Sequence, residues 1–127
     1  MYITIDEKDG RPMYRQVVDG IKELIARGEL QQGSALPPVR QVAADLGVNL
    51  NTIAFAYREL QKDGLIKIRH GSGAIVISRT LGEKAKERMQ GQLRSPLTQL
   101  VLGGMGRSEI NALVGRELDQ LFRDRNR

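Results

Sequence analysis

Apolar residues recur along most of this chain at helical spacing, and in three short stretches the pattern changes to the alternation of a strand. From Pro12 onward, Tyr14, Val17, Val18, Ile21, Leu24 and Ile25 fall on one face of a helix that Gly28 ends. This first helix reads as scaffold. Val39, Val42, Ala43 and Leu46 then repeat at i, i+3, i+4 and i+7, which predicts a short amphipathic helix entered through Pro37-Pro38 and closed by Gly47. After that turn Asn49 has the side chain to cap a further helix, whose inward stripe is Ile53, Ala56, Tyr57 and Leu60, with Gly64 as its stop. Two short helices joined by a tight glycine-containing turn make a helix-turn-helix.

The alternating stretches complete that picture. Leu65 to Arg69 and Ala74 to Ile77 predict two strands around the tip His70-Gly71-Ser72-Gly73, a basic hairpin. A helix-turn-helix followed by a basic hairpin is a winged helix. Tyr2 to Asp6 also alternates and is expected as a short strand or extended arm beside the core, while Gly28 to Leu36 reads as a turn-rich link.

Beyond Val76 the pattern changes character, and Ser78-Arg79-Thr80 marks a joint. Leu81, Ala85, Met89, Leu93, Leu97 and Val101 recur every fourth residue. That predicts a helix over about 81–102, kinked or restarted at Pro96, with a single kinked element preferred. Gly103-Gly104-Met105-Gly106 breaks it, and Ser108 can cap a last helix with Ile110, Leu113, Val114, Leu118, Leu121 and Phe122 on one face. Two helices of this size cannot bury both stripes on each other with nothing left over, and leftover apolar faces mark interfaces. A homodimer is the simplest solution, with a four-helix cluster that sets two recognition helices on a two-fold axis. The alternative is that both helices fold back on the winged part. The expected architecture is therefore mainly α with a small β-wing: a winged helix-turn-helix domain over 1–78 and a two-helix dimerisation appendage over 79–127.

Composition narrows the function. A chain of 127 residues holds one compact domain and a small appendage. It has no cysteine and one histidine, so neither a thiolate metal site nor a nucleophile-and-base pair can be assembled, and no phosphate-cradling glycine loop is present. An enzyme is not expected, nor a cofactor. No apolar run approaches the roughly 20 residues of a membrane span, and the polar start is no signal peptide, so the cytoplasm is the expected compartment. Net charge is +5, from 20 basic and 15 acidic residues. Its placement matters more than its size. Residues 40–80 carry Arg40, Arg58, Lys62, Lys67, Arg69 and Arg79 against three acids, whereas residues 1–31 carry five bases against six acids.

These positions suit duplex DNA. A helix fits the major groove, and the N-terminal residues of the second helix of the motif reach base edges. Here those are Asn49, Leu50, Asn51 and Thr52. An Asn amide can bond adenine at two points, and Leu50 or the Thr52 methyl can meet a thymine methyl. Each has a plainer reading as well: Asn49 as a helix cap, Thr52 bonding back into its own turn. Asn51 is a poor helix former with no evident structural job, which makes it the foremost base-reading candidate. Arg58 and Lys62, a turn apart, can contact phosphates or simply pair with Glu59 or Asp63. Lys67, Arg69, His70 and Gly71 form the wing edge, where cations meet phosphates and glycine admits close approach.

The residues also resemble the DNA-binding domain of the GntR family of bacterial transcription regulators. The likeness rests on Pro12-Met13-Tyr14-Arg15-Gln16, Gly28-Glu29-Leu30, Leu36-Pro37-Pro38-Val39-Arg40, Leu46-Gly47-Val48, Thr52-Ile53, Gly64-Leu65 and Gly71-Ser72-Gly73. It covers about the first 78 residues. Pro38 replaces the family's usual serine, Ala74-Ile75 a bulkier wing pair, and Leu50 and Ala54 stand where many members carry arginine. The pattern Asn49-Leu50-Asn51-Thr52 looks like the short YtrA-like branch. The resemblance implies DNA contacts at Arg40, Asn49, Asn51, Thr52, His70 and Gly71. It further implies a two-helix dimerisation piece in place of a ligand domain, and repression of nearby operons, often of transporters. An effector bound between protomers stays open. The competing function is a winged helix that presents the same helix to a protein.

Overall fold

The computed structural model describes residues 3–70, 73–77 and 81–123. Five helices and three strands follow in the order α1 (Met13–Arg27), β1 (Ala35–Leu36), α2 (Val39–Leu46), α3 (Leu50–Lys62), β2 (Ile66–Arg69), β3 (Gly73–Val76), α4 (Glu83–Leu102) and α5 (Arg107–Phe122). The hydrophobic stripes meet where their spacing directs them. Val17, Val18 and Ile21 of α1 pack with Val42 of α2, with Ile53, Ala56, Tyr57 and Leu60 of α3, and with Leu36, Ile66, Ala74 and Val76 of the sheet. α3 lies at the centre, packed against α1, α2 and β2.

The helix ends explain the chain's turns. Gly28 and Gly47 adopt left-handed conformations as C-caps of α1 and α2, where a side chain would be strained. Asn49 caps α3 as expected: its Oδ1 accepts the Asn51 N–H at 2.8 Å.

The sheet is larger than the hairpin read from sequence. Its order is β1-β3-β2, all antiparallel, with Ala35 opposite Ile75 and Leu36 opposite Ala74. The stretch expected as a turn-rich link thus ends in a strand. Two residues are too few to show alternation, so no periodic signal marked it. Gly73, opposite Arg69 in β2, begins β3 with φ +81°, and a Cβ there would sit 3.1 Å from the Leu36 carbonyl oxygen. That glycine lets β1 close on the wing. Ahead of α1, residues 3–6 form no strand, and Ile3 and Ile5 lie against the core. Gln16 holds this arm: the side-chain Oε1 accepts the Asp6 N–H at 2.8 Å, and Nε2 donates to the Asp6 carbonyl at 3.0 Å. Gly20 in mid-α1 makes room for the arm, since a Cβ there would fall 2.9 Å from Ile3 Cγ2.

The tail is the helix pair pictured from sequence, with one choice resolved and one cap moved. α4 is one helix that runs through Pro96, which resolves the choice between one element and two. Pro96 has no N–H to give the turn before it, and two residues on the Thr98 hydroxyl donates to the Arg94 carbonyl at 2.7 Å. α5 starts one residue before the expected cap: Gly106, not Ser108, is its N-cap, and Glu109 Oε1 accepts the Gly106 N–H at 3.4 Å. α5 packs on α1 of the winged part, and α4 packs closely on no other element among the described residues. Neither tail helix contains a buried residue. No helix among the described residues is long and apolar enough to cross a membrane.

Candidate nucleic-acid interface

The second helix of the helix-turn-helix, α3, presents its first turn to solvent. Asn49, Leu50 and Asn51 are exposed and Thr52 is half-buried, because the inward face of α3 starts only at Ile53. Asn49 therefore has one confirmed job, as the cap. Asn51 makes no side-chain hydrogen bond among the described residues. Its amide is available on the exposed side of the helix.

Three of the expected cations converge. Arg40 at the start of α2, Arg58 in the middle of α3 and Arg69 at the end of β2 line one cleft of about 480 Å³, floored by Pro38, Val39, Ala54, Tyr57 and Ile68. Lys67 and His70 are exposed on the same hairpin as Arg69. Gly71 lies outside the described residues. The wing is fastened to α3 by Gln61, whose Oε1 accepts the Ile68 N–H at 2.8 Å. Tyr57 ties α3 to the entry of α2, its hydroxyl donating to the Pro37 carbonyl at 2.6 Å. Burial pushes the Tyr57 phenol up to about 12.

The ion pairs of the winged part lie away from this face. Arg11 bonds Asp9 at 2.6 Å and Asp19 at 2.7 Å, and Lys22 meets Asp63 at 3.0 Å. The Arg11 hydrogen bonds hold the Asp9 carboxyl down at about 2. By contrast, Arg40, Arg58, Lys67 and Arg69 have no carboxylate partner among the described residues. The pairing of Arg58 with Glu59 or Asp63 allowed by sequence is not formed. Instead its guanidinium lies 5.9 Å over the Phe55 ring. Unpaired cations beside a helix whose first turn is exposed suit a polyanion, which replaces the missing counter-charges.

Sequence reasoning passed over Phe55 and Gln61. Phe55 was legible, since it stands four residues after Asn51 and off the inward stripe. Gln61 was not, because nothing in its spacing signals a partner seven residues on.

Comparison with known proteins agrees with this geometry. The family model described as bacterial regulatory proteins, gntR family, matches residues 13–76, which holds every element from α1 to β3. The HTH-type transcriptional repressor YtrA of Bacillus subtilis is 33% identical over 100 residues, covering 79% of this chain and 76% of that protein. Among solved structures, a transcriptional antiterminator from Listeria monocytogenes superposes with a TM-score of 0.86 at 30% identity, covering 95% of this chain and 92% of that one. YtrA from Sulfolobus acidocaldarius, a GntR-family transcription factor, gives 0.57 at 33% identity, covering 93% and 97%. Shared sequence across the winged domain and shared length through the tail place the chain in the GntR family of bacterial transcription regulators, which bind DNA, on its short YtrA-like branch.

Proposed function

We propose that this regulator works as a homodimeric repressor that occupies a palindromic operator in the cytoplasm. The observation that carries its DNA side is the cleft that gathers Arg40, Arg58 and Arg69, unpaired, beside the exposed first turn of α3. In this reading Asn51 and Thr52 meet base edges from the major groove, while Arg40, Arg58, Lys67, Arg69 and His70 take phosphates. Gly71 brings the hairpin tip close. The division at residue 78 separates a reading domain from an assembling one. The assembling surface is the set of apolar residues that the protomer leaves uncovered on α4 and α5, including Met89, Leu93, Val101 and Leu118. Leu81, Ala85, Leu97, Ile110, Leu113, Val114 and Leu121 continue it. Repression is supported by the name of the Bacillus subtilis relative. A two-fold axis between tails spaces the half-sites about 10 bp apart or a multiple of it.

The test is selection of bound sequences from random duplex DNA. A palindrome should emerge, and affinity for it should fall steeply with salt as phosphate contacts release counterions. Asn51→Ala should relax one position in each half-site by about 1–3 kcal/mol and leave the salt slope nearly unchanged. A protein that prefers no sequence over bulk duplex does not have this function.

A further inference from the structure

Phe55 is out of place for a solvated helix face. It is 38% exposed, four residues after Asn51 and three before Arg58, a spacing that puts all three side chains on one side of α3. Asn51, Thr52 and Phe55 in fact line one shallow depression, together with Pro12, Met13 and Tyr14 from the start of α1. The Phe55 ring is not loose. Tyr14 meets it edge-on, with centroids 4.8 Å apart and planes at 89°, and the Arg58 guanidinium lies over it. An aromatic ring held on two sides, with its remaining surface open beside the foremost base-reading amide, is prepared for an apolar contact. Duplex DNA offers few of these in the major groove, and the principal one is the C5-methyl of thymine.

We propose that Phe55 is a specificity residue that reads a thymine methyl in each half-site, next to the base met by Asn51. The inference rests on the DNA-reading function above and adds to it a second reader. Of the two methyl readers suggested by the sequence, Leu50 and Thr52, Leu50 lies five residues before Phe55 and so on a different part of the helix surface. Tyr14 acts as a positioning residue, since it fixes the ring without needing to touch a base. Arg58 shares the ring, so the apolar and cationic contacts are set by one side chain.

The experiment uses the full chain and the operator duplex it selects from random DNA. Each thymine is replaced in turn by deoxyuracil, which deletes the methyl and keeps the base-pairing edge. One thymine per half-site should lower wild-type affinity about three- to fivefold, the loss expected for one buried methyl. Phe55→Ala should bind the thymine and deoxyuracil duplexes equally, while the position read by Asn51 keeps its preference. Tyr14→Phe should preserve the methyl effect, because the ring pair is intact. The proposal is overturned if every thymine tolerates the loss of its methyl, or if Phe55→Ala retains the full penalty, as it would were Leu50 or Thr52 the reader. A selection that returns no preferred sequence sinks the DNA-reading function itself, a result distinct from both.

Discussion

Residues 13–76 and residues 83–122 carry apolar stripes of similar period, yet they treat them in opposite ways. In the winged part Val17, Val18, Ile21, Ile53 and Leu60 are wholly buried, whereas in the tail Leu93 is 59% exposed and Val101 is 61% exposed. Spacing alone does not bury a residue; a facing surface does. α1, α2, α3 and the sheet supply one another with that surface, so the domain is complete within a single chain. Among the described residues α4 packs closely on no other element, and α5 borrows only a little from α1. Full burial of one Leu or Val contributes roughly 1.5–3 kcal/mol, so several uncovered residues in succession leave a large association free energy unused by the protomer.

The sharpest way to break this contrast is to charge the tail stripe. Leu93→Glu combined with Val101→Glu should abolish the proposed dimer, with sedimentation as the measurement, and lower operator affinity by about 10²–10⁴-fold, the advantage lost when two linked half-site contacts become separate. The winged domain should keep its circular dichroism. A variant that remains dimeric, or a wild-type protein that is already monomeric at micromolar concentration, removes the tail from the assembly.

Core truncation probes the other side. Ile53→Ala should lower unfolding free energy by about 2–5 kcal/mol in urea titration, because Ile53 sits at the centre of the buried cluster and the cavity has little room to collapse. Leu118→Ala, on the exposed face of α5, should change little in dilute protein and more at high concentration, where association adds to stability. Equal effects of the two at every concentration would erase the distinction.

What the residues reveal in advance divides along the same line. The helix stops at Gly28 and Gly47, the Asn49 cap and the inward face of α3 follow from local chemistry, and each was legible. The same holds for the exposure of Asn51. β1 was not, since its two residues pair with β3 only because the chain happens to pass there. The lodging of α5 on α1 was only half legible: folding back on the winged part was the alternative the sequence allowed, and α5 takes it while α4 does not. An apolar stripe states that it needs a partner, without saying which surface provides it. Among the cations, Arg40, Arg58 and Arg69 could each be picked from sequence, but their meeting around one cleft depends on the wing being fastened by Gln61.

The smallest expected effect tests how the winged part holds its own pieces together. The Tyr57 hydroxyl, on a residue only 1% exposed, donates to the Pro37 carbonyl and links α3 to the residue pair from which α2 starts. Burial raises the phenol from its ordinary 10.0 to about 12, so the native state favours the neutral form more strongly than the unfolded chain does. The sign follows: this contribution is complete below the unfolded value of 10.0 and disappears as pH rises through about 12. Tyr57→Phe keeps the ring and removes the bond, which should cost about 1 kcal/mol at neutral pH. The difference between wild type and variant should then shrink across that alkaline window, because the variant has no phenol to ionise there. Denaturant midpoints measured for both proteins at neutral pH and again near the upper end decide it. No gap at neutral pH would mean that Tyr57 acts through packing alone, leaving the Pro37 carbonyl no part in holding α2 to α3.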